Sequence, residues 1–150
     1  MKIKKSDKKV LNKEEENDNF QYWLIEMDDL LDEFIEEMPS ELQLDYSPQS
    51  LLRLEEWIIS NYKTIPEIKS NSAMLDKLAR YVGETFRENI GGIWEIPLDD
   101  PKYVFYGIPQ IVFKNETISP MCPLISITTC VDRRRGDALY REYMNRTRSD

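Results

Sequence analysis

Histidine does not occur anywhere in this chain of 150 residues. That absence removes Ser-His-Asp and Cys-His relays, imidazole metal ligands and histidine pH switching. Carboxylate, Lys or Tyr chemistry is left, and no residue pattern marks it or assigns a cofactor. Cysteine is almost absent as well. Cys122 and Cys130 are the whole set, and their spacing of eight fits no zinc or redox pattern. Long apolar runs are missing. Ile108 to Phe113 is broken by Pro109 and Gln110, far short of the roughly 20 apolar residues of a membrane span. The opening Met1-Lys-Ile-Lys-Lys5 is charged, but no apolar stretch follows it as in a secretory signal. The expectation is a cytoplasmic protein with two reduced thiols and no membrane partner. What is present suits a globule: 41% hydrophobic and 32% charged residues, at a length typical of one domain.

Charge of one sign is missing over a long stretch. Residues 14–45 hold 13 Asp and Glu and no Lys or Arg, a block of −13. Residues 1–13 carry +5 and residues 46–150 carry zero, within a total of −8. The acidity therefore sits in one segment on a neutral body. Such a block repels nucleic acid and anionic membranes and attracts a basic protein. The plainer reading is a solvated helix face.

The periodicity predicts a Lys-rich disordered tail over 1–13 and a single domain over 14–150. Within that domain, Phe20, Trp23, Leu24, Met27, Leu30, Leu31, Phe34, Ile35 and Met38 recur as one apolar stripe, giving a helix over 14–38 that Pro39 stops. Acidic neighbours at i, i+4 (Asp28/Asp32, Glu33/Glu37) repel, so that stripe needs docking to hold the helix. A second helix is read over 47–62, with Ser47 as cap and Pro48 in its first turn. Residues 63–71 read as a loop. A third helix runs over 72–90 to Gly91-Gly92. Gly83 beside its stripe points to an element packed close on the backbone. Then the period changes. Ile93–Leu98, Tyr103–Tyr106, Ile108–Phe113 and Leu124–Cys130 read as strands, with a turn at Asp99-Asp100-Pro101-Lys102. A short helix over 137–147 follows, with Asp137 as cap. The expected fold is α+β: N-terminal helices on an antiparallel sheet of about four strands, with a short C-terminal helix.

The candidate sites are weak in chemistry. Asp28, Asp29, Asp32, Glu33, Glu36 and Glu37 form the acidic face that a basic partner would meet. As a metal site they lack a calcium-loop pattern or Glu-x-x-His pairs. Arg80, Glu84 and Arg87 are spaced to meet on one helix edge, beside Trp94. The glycines at 91 and 92 follow a helix, whereas a phosphate cradle needs them before one. Arg133-Arg134-Arg135 is a small basic patch that could grip an acidic group, and it overlaps an Arg-Gly-Asp triplet whose adhesive use requires an extracellular loop. Those arginines would lower the Cys130 pKa if the thiol were exposed. Tyr103, Phe105, Tyr106 and Trp94 offer an aromatic face.

The stretch Gly83, Glu84, Arg87, Asn89, Gly91, Gly92 and Trp94, with Leu44-Asp45-Tyr46-Ser47 upstream, resembles a loose group of small bacterial proteins of uncharacterised function. The likeness covers roughly residues 44–106. It implies at most an immunity-type partner of a bacterial toxin, and it brings no catalytic residues. The sequence therefore leads first to a non-enzymatic binding module for a basic protein or toxin. The alternatives are a carboxylate and Arg enzyme or ligand-binding protein at Glu84 and Arg87, and a homodimeric module.

Overall fold

A computed structural model describes residues 9–148. Among them are seven α-helices and one two-stranded antiparallel sheet. The helices are α1 (Lys13–Ile25), α2 (Met27–Glu37), α3 (Ser50–Asn61), α4 (Ile65–Ser70), α5 (Ser72–Ile90), α6 (Pro123–Arg133) and α7 (Ala138–Thr147); the strands are β1 (Gly92–Glu95) and β2 (Gln110–Phe113). The class is α+β, mostly helical, and the expected sheet of four strands is not there. Most of the expected Lys-rich tail, residues 1–8, lies outside the described residues. Asn12 caps α1 by accepting the Glu15 amide, and the Leu11 amide donates to the Tyr106 hydroxyl at 2.9 Å.

The middle of the molecule is α5. Asn71 caps it through the Met74 amide, and Gly91 ends it in a left-handed conformation. Every residue from Leu78 to Phe86 is buried, so this helix is covered on all sides rather than along one stripe. The helices α2, α4 and α6 and both strands pack on it, and α7 closes over α3 and α6. The core they share includes Phe34, Leu51, Leu54, Ile58, Ile68, Leu78, Val82, Phe86, Ile111 and Ile127, all fully buried.

Three sequence expectations need correction. Leu124–Cys130, read as a strand for its β-branched residues, lies in helix α6. Its buried positions Pro123, Ser126, Ile127, Cys130 and Val131 are spaced as one helical face, and packing on α5 overrides strand propensity. Tyr103–Tyr106 is not a strand either. The turn at 99–102 forms, with the Lys102 amide on Asp100 Oδ1 at 2.9 Å. Further i to i+3 bonds then follow, from Tyr106 to Tyr103 and from Ile108 to Phe105, which keep the backbone folded on itself. Finally, the helix expected over 14–38 breaks at Glu26 into α1 and α2. Arg80 Nη1 donates to the Trp23 carbonyl at 2.7 Å, the acceptor that the Met27 amide would use in an unbroken helix.

The other helices agree with the sequence reading to within a few residues, except that the loop 63–71 contains the short helix α4, capped by Thr64. Asp137 precedes α7 but does not cap it with its side chain. The cap comes from α3 instead. Glu55, fully buried, accepts the amides of Ala138 and Leu139 at 3.1 and 2.8 Å.

Candidate functional site

The Gly83 to Trp94 stretch folds into one network in which Glu84, Thr85, Arg87, Asn89 and Trp94 each have a structural partner. Trp94 enters from β1 and lays its indole on the backbone of α5. A Cβ built on Gly83 would run into that ring and lie 3.0 Å from Pro123 Cγ. Gly92 is equally constrained, because a Cβ there would sit 2.6 Å from the Val112 carbonyl across the sheet. The indole nitrogen of Trp94 donates to Glu84 Oε1 at 2.7 Å. Arg87 grips the same carboxylate with two nitrogens, Nη2 to Oε2 at 2.7 Å and Nε to Oε1 at 3.0 Å. This fork holds the Arg87 guanidinium above its ordinary pKa. Glu84 is buried, and both its oxygens are taken. Asn89 ties the end of α5 to the upstream segment, donating to the carbonyls of Tyr46 and Thr85. The Tyr46 amide in turn donates to the Tyr81 hydroxyl, and the two rings stack at 4.9 Å. Burial first, then nearby Glu88, pushes the Tyr46 phenol up to about 12.

Arg80 and Glu84, expected to meet, are separated. Arg80 turns back toward the junction of α1 and α2. It is 1% exposed, and it holds Asp76 Oδ2 at 2.7 Å while its guanidinium lies over the Trp23 ring at 4.2 Å. Trp23 donates its indole N–H to the other Asp76 oxygen at 2.7 Å and meets Trp94 edge-on at 4.8 Å. Asp76, Arg80, Trp23, Trp94, Glu84 and Arg87 are therefore one connected chain of contacts. It locks α1, α5 and β1 together and presents no free nucleophile or base.

The acidic face is the opposite case. All six carboxylates of α2 are exposed, while Met27, Leu31, Phe34 and Met38 face the core. The six form two stripes. Glu33 and Glu37 share Lys77 of α5, at 3.1 and 3.2 Å. That hydrogen bond holds Glu33 below the usual carboxylate value and raises Lys77. Asp28, Asp32 and Glu36, one turn apart, and Asp29 beside them make no ion pair with any described residue. Arg87 interacts with them electrostatically through Asp28, which helps to raise its pKa after Glu84. Tyr22 and Ile25, just before α2, are large and exposed at 69% and 77%.

The remaining candidates fall away as reactive groups. Both cysteines are buried, and burial pushes the Cys130 thiol up to about 12, with Glu55 and Glu142 adding to the shift. A lone buried thiol of that kind is inert. The aromatic face dissolves: Tyr106 is buried, Tyr103 donates to buried Gln110 at 2.7 Å, and Phe105 packs edge-on against Tyr103. Among the described residues no group of three or more Asp, Glu or Cys side chains is placed to hold a metal ion, and no helix is long and apolar enough to cross a membrane.

Sequence reasoning missed Glu55, Asp76 and Lys77. Glu55 carried a signal, since it falls in the same helical stripe as Leu51, Leu54 and Ile58. Asp76 showed only its i, i+4 spacing to Arg80 and not its bond to Trp23, 53 residues away, and Lys77 showed nothing, because Glu33 and Glu37 lie 44 and 40 residues away in the chain. Compared with family models, curated proteins and solved structures, the chain gives no match.

Proposed function

We propose that this protein is a non-enzymatic binding module that presents the outer face of α2 to a basic protein. The observation that carries the reading is the row of four exposed carboxylates, Asp28, Asp29, Asp32 and Glu36, without an ion pair among the described residues. Like charges one turn apart cost helix stability, about 0.2–0.5 kcal/mol per pair. Arg87 bears electrostatically on Asp28 but is itself held by Glu84, so the outer stripe has no ion pair among the described residues to offset that cost. The apolar stripe of α2 is filled by the protein's own core, so the charged side is what the helix offers outward. Exposed Tyr22 and Ile25 add the apolar anchors that protein contacts use. The enzyme alternative has less support, because both oxygens of Glu84 are engaged by Arg87 and Trp94. An immunity-type role against a basic toxin is the form of this proposal that the resemblance over residues 44–106 favours.

The test replaces Asp28, Asp29, Asp32 and Glu36 with Lys, leaving Glu33 and Glu37 in place because they hold Lys77. Parent and variant are used as baits in a lysate of the source cells, with far-UV circular dichroism as the folding control. A basic protein held by the parent, released by rising salt and lost by the variant is the expected outcome. A partner bound equally well by both would remove the α2 face from the interface.

A further inference from the structure

Residues 133–135 form a basic cluster that the proposed function leaves unexplained. The structure divides this triplet. Arg134, left-handed at φ 53 and exposed, reaches across to the end of α3 and donates to the carbonyls of Ile59, Tyr62 and Lys63. It fastens α6 to the end of α3. Arg133 and Arg135 are exposed and have no carboxylate partner among the described residues. Both line a cleft of about 390 Å³ between α6 and α7, and Arg141 lines it from α7. Only the Nε of Arg141 is engaged, by Asp137 at 2.8 Å, so its terminal nitrogens are free to donate.

We propose that the cleft between α6 and α7 binds a small organic molecule with two negative charges, held by Arg133, Arg135 and Arg141. The volume lies within the range of ligand clefts, ~300–1,000 Å³. Its wall is in part apolar, with Phe105 and Ile125, which suits a carbon skeleton rather than a bare inorganic ion. The free guanidinium groups suit carboxylate or phosphate oxygens, which they match in pairs. Thr129 and Asn145, also on the wall, make no hydrogen bond with described residues through their side chains and add neutral donors. Glu142 is the acidic group at this cleft. Its Oε1 accepts from Ser126 at 2.9 Å and from Arg146 at 3.2 Å, so the Arg146 pair offsets its opposition to an anion. A nucleic acid fits poorly here, since the site is concave and residues 46–150 carry no net charge.

The test is titration of the full chain with succinate and, separately, with glycerol phosphate, followed by calorimetry and by amide NMR shifts. Neutral glycerol is the blank. Low salt is used, because exposed charges are screened beyond about 10 Å at 0.1 M. The expected result is saturable one-to-one binding of at least one probe, with shifts centred on α6 and α7. Preference for succinate identifies a dicarboxylate site, and preference for glycerol phosphate identifies a phosphate ester site. The dissociation constant should rise tenfold or more in Arg133→Ala/Arg135→Ala and again in Arg133→Gln/Arg135→Gln, roughly the loss of one charge-assisted contact. It should change less than about twofold in Lys69→Ala/Lys114→Ala, which removes the same charge elsewhere. Absence of saturation with both probes overturns the proposal. So does equal weakening in the arginine and lysine variants, which would mean attraction to charge in general.

Discussion

Glu84 and Asp28 are both helix carboxylates, and almost everything around them differs. Glu84 is buried on α5 and fills its oxygens with Arg87 and the Trp94 indole. Asp28 is exposed on α2 and pairs with no described cation. The same contrast separates the two regions as wholes. Around α5, Asp76, Arg80, Glu84 and Arg87 are each fixed by a hydrogen bond of 2.7 Å. On α2, only the inner stripe of Glu33 and Glu37 is paired, and one Lys serves both. A buried charge persists only when it is paired, since removing it from water is costly. An exposed charge has no such constraint, because water solvates it without a partner from the fold. In this protein the conspicuous motif builds the fold, and the outer part of the plain charge run is left in solvent without an ion pair among the described residues.

The comparison can be broken first at Arg80. Arg80→Ala removes the donor to the Trp23 carbonyl, strands Asp76 beside Trp23 and leaves a void, at a cost on the order of 3 kcal/mol in urea unfolding. A second effect is specific to the kink: amide exchange at Met27 should slow relative to its neighbours if α1 and α2 fuse once Arg80 no longer holds the Trp23 carbonyl. Gly83→Ala comes next. The added methyl displaces the Trp94 ring, with a penalty of ~1–3 kcal/mol and a changed tryptophan emission spectrum. Glu55→Ala should cost about 2 kcal/mol, because α7 loses the acceptor for two of its first amides. Its signature is loss of hydrogen-exchange protection at α7 before that at α5.

Smaller effects sharpen the contrast. Burial raises the Glu142 pKa above 4.5, against opposing bonds from Ser126 and Arg146. A raised carboxyl contributes stability that is full below its unfolded value and lost as pH climbs through the folded value. Glu142→Gln keeps an acceptor for Ser126 and Arg146 and does not titrate. Its melting temperature should equal or exceed the parent's at pH 7, with the gap closing as pH falls below the ordinary carboxylate range. The opposite trend, with a gap that widens in acid, would mean that the Arg146 pair outweighs burial. The smallest stability change belongs to the fourfold Lys variant of α2, expected within about 0.5 kcal/mol of the parent. If it unfolds the protein instead, those carboxylates have structural partners and the distinction between the two regions fails.

Much of the helical framework was legible. The stripe of Met27, Leu31, Phe34 and Met38 and the stop of α5 at Gly91 are local patterns, and they sit where periodicity puts them. Gly83 signalled a close neighbour without identifying it as Trp94. Leu124–Cys130 misled because two signals disagree there. Its β-branched residues favour a strand, while its spacing of buried positions is helical, and only burial against α5 decides. For the site, the acidic run and the Arg triplet were visible as composition. Which members remain unpaired was not, because Lys77 lies 40 residues from Glu37 and Arg134 lies 72 from Tyr62 in the chain.

By itself the sequence determined the absence of imidazole chemistry, the segregation of charge and the positions of most helices, since these depend on residue type and local period. Only the tertiary structure decided that the Glu84 and Arg87 cluster is a clamp, that Glu55 caps a helix from a distance, and that two arginines of three face a cleft. Pairing between residues far apart in the chain is set by packing, and the number of pairings open to an unpacked chain is too large for residue spacing to choose among them.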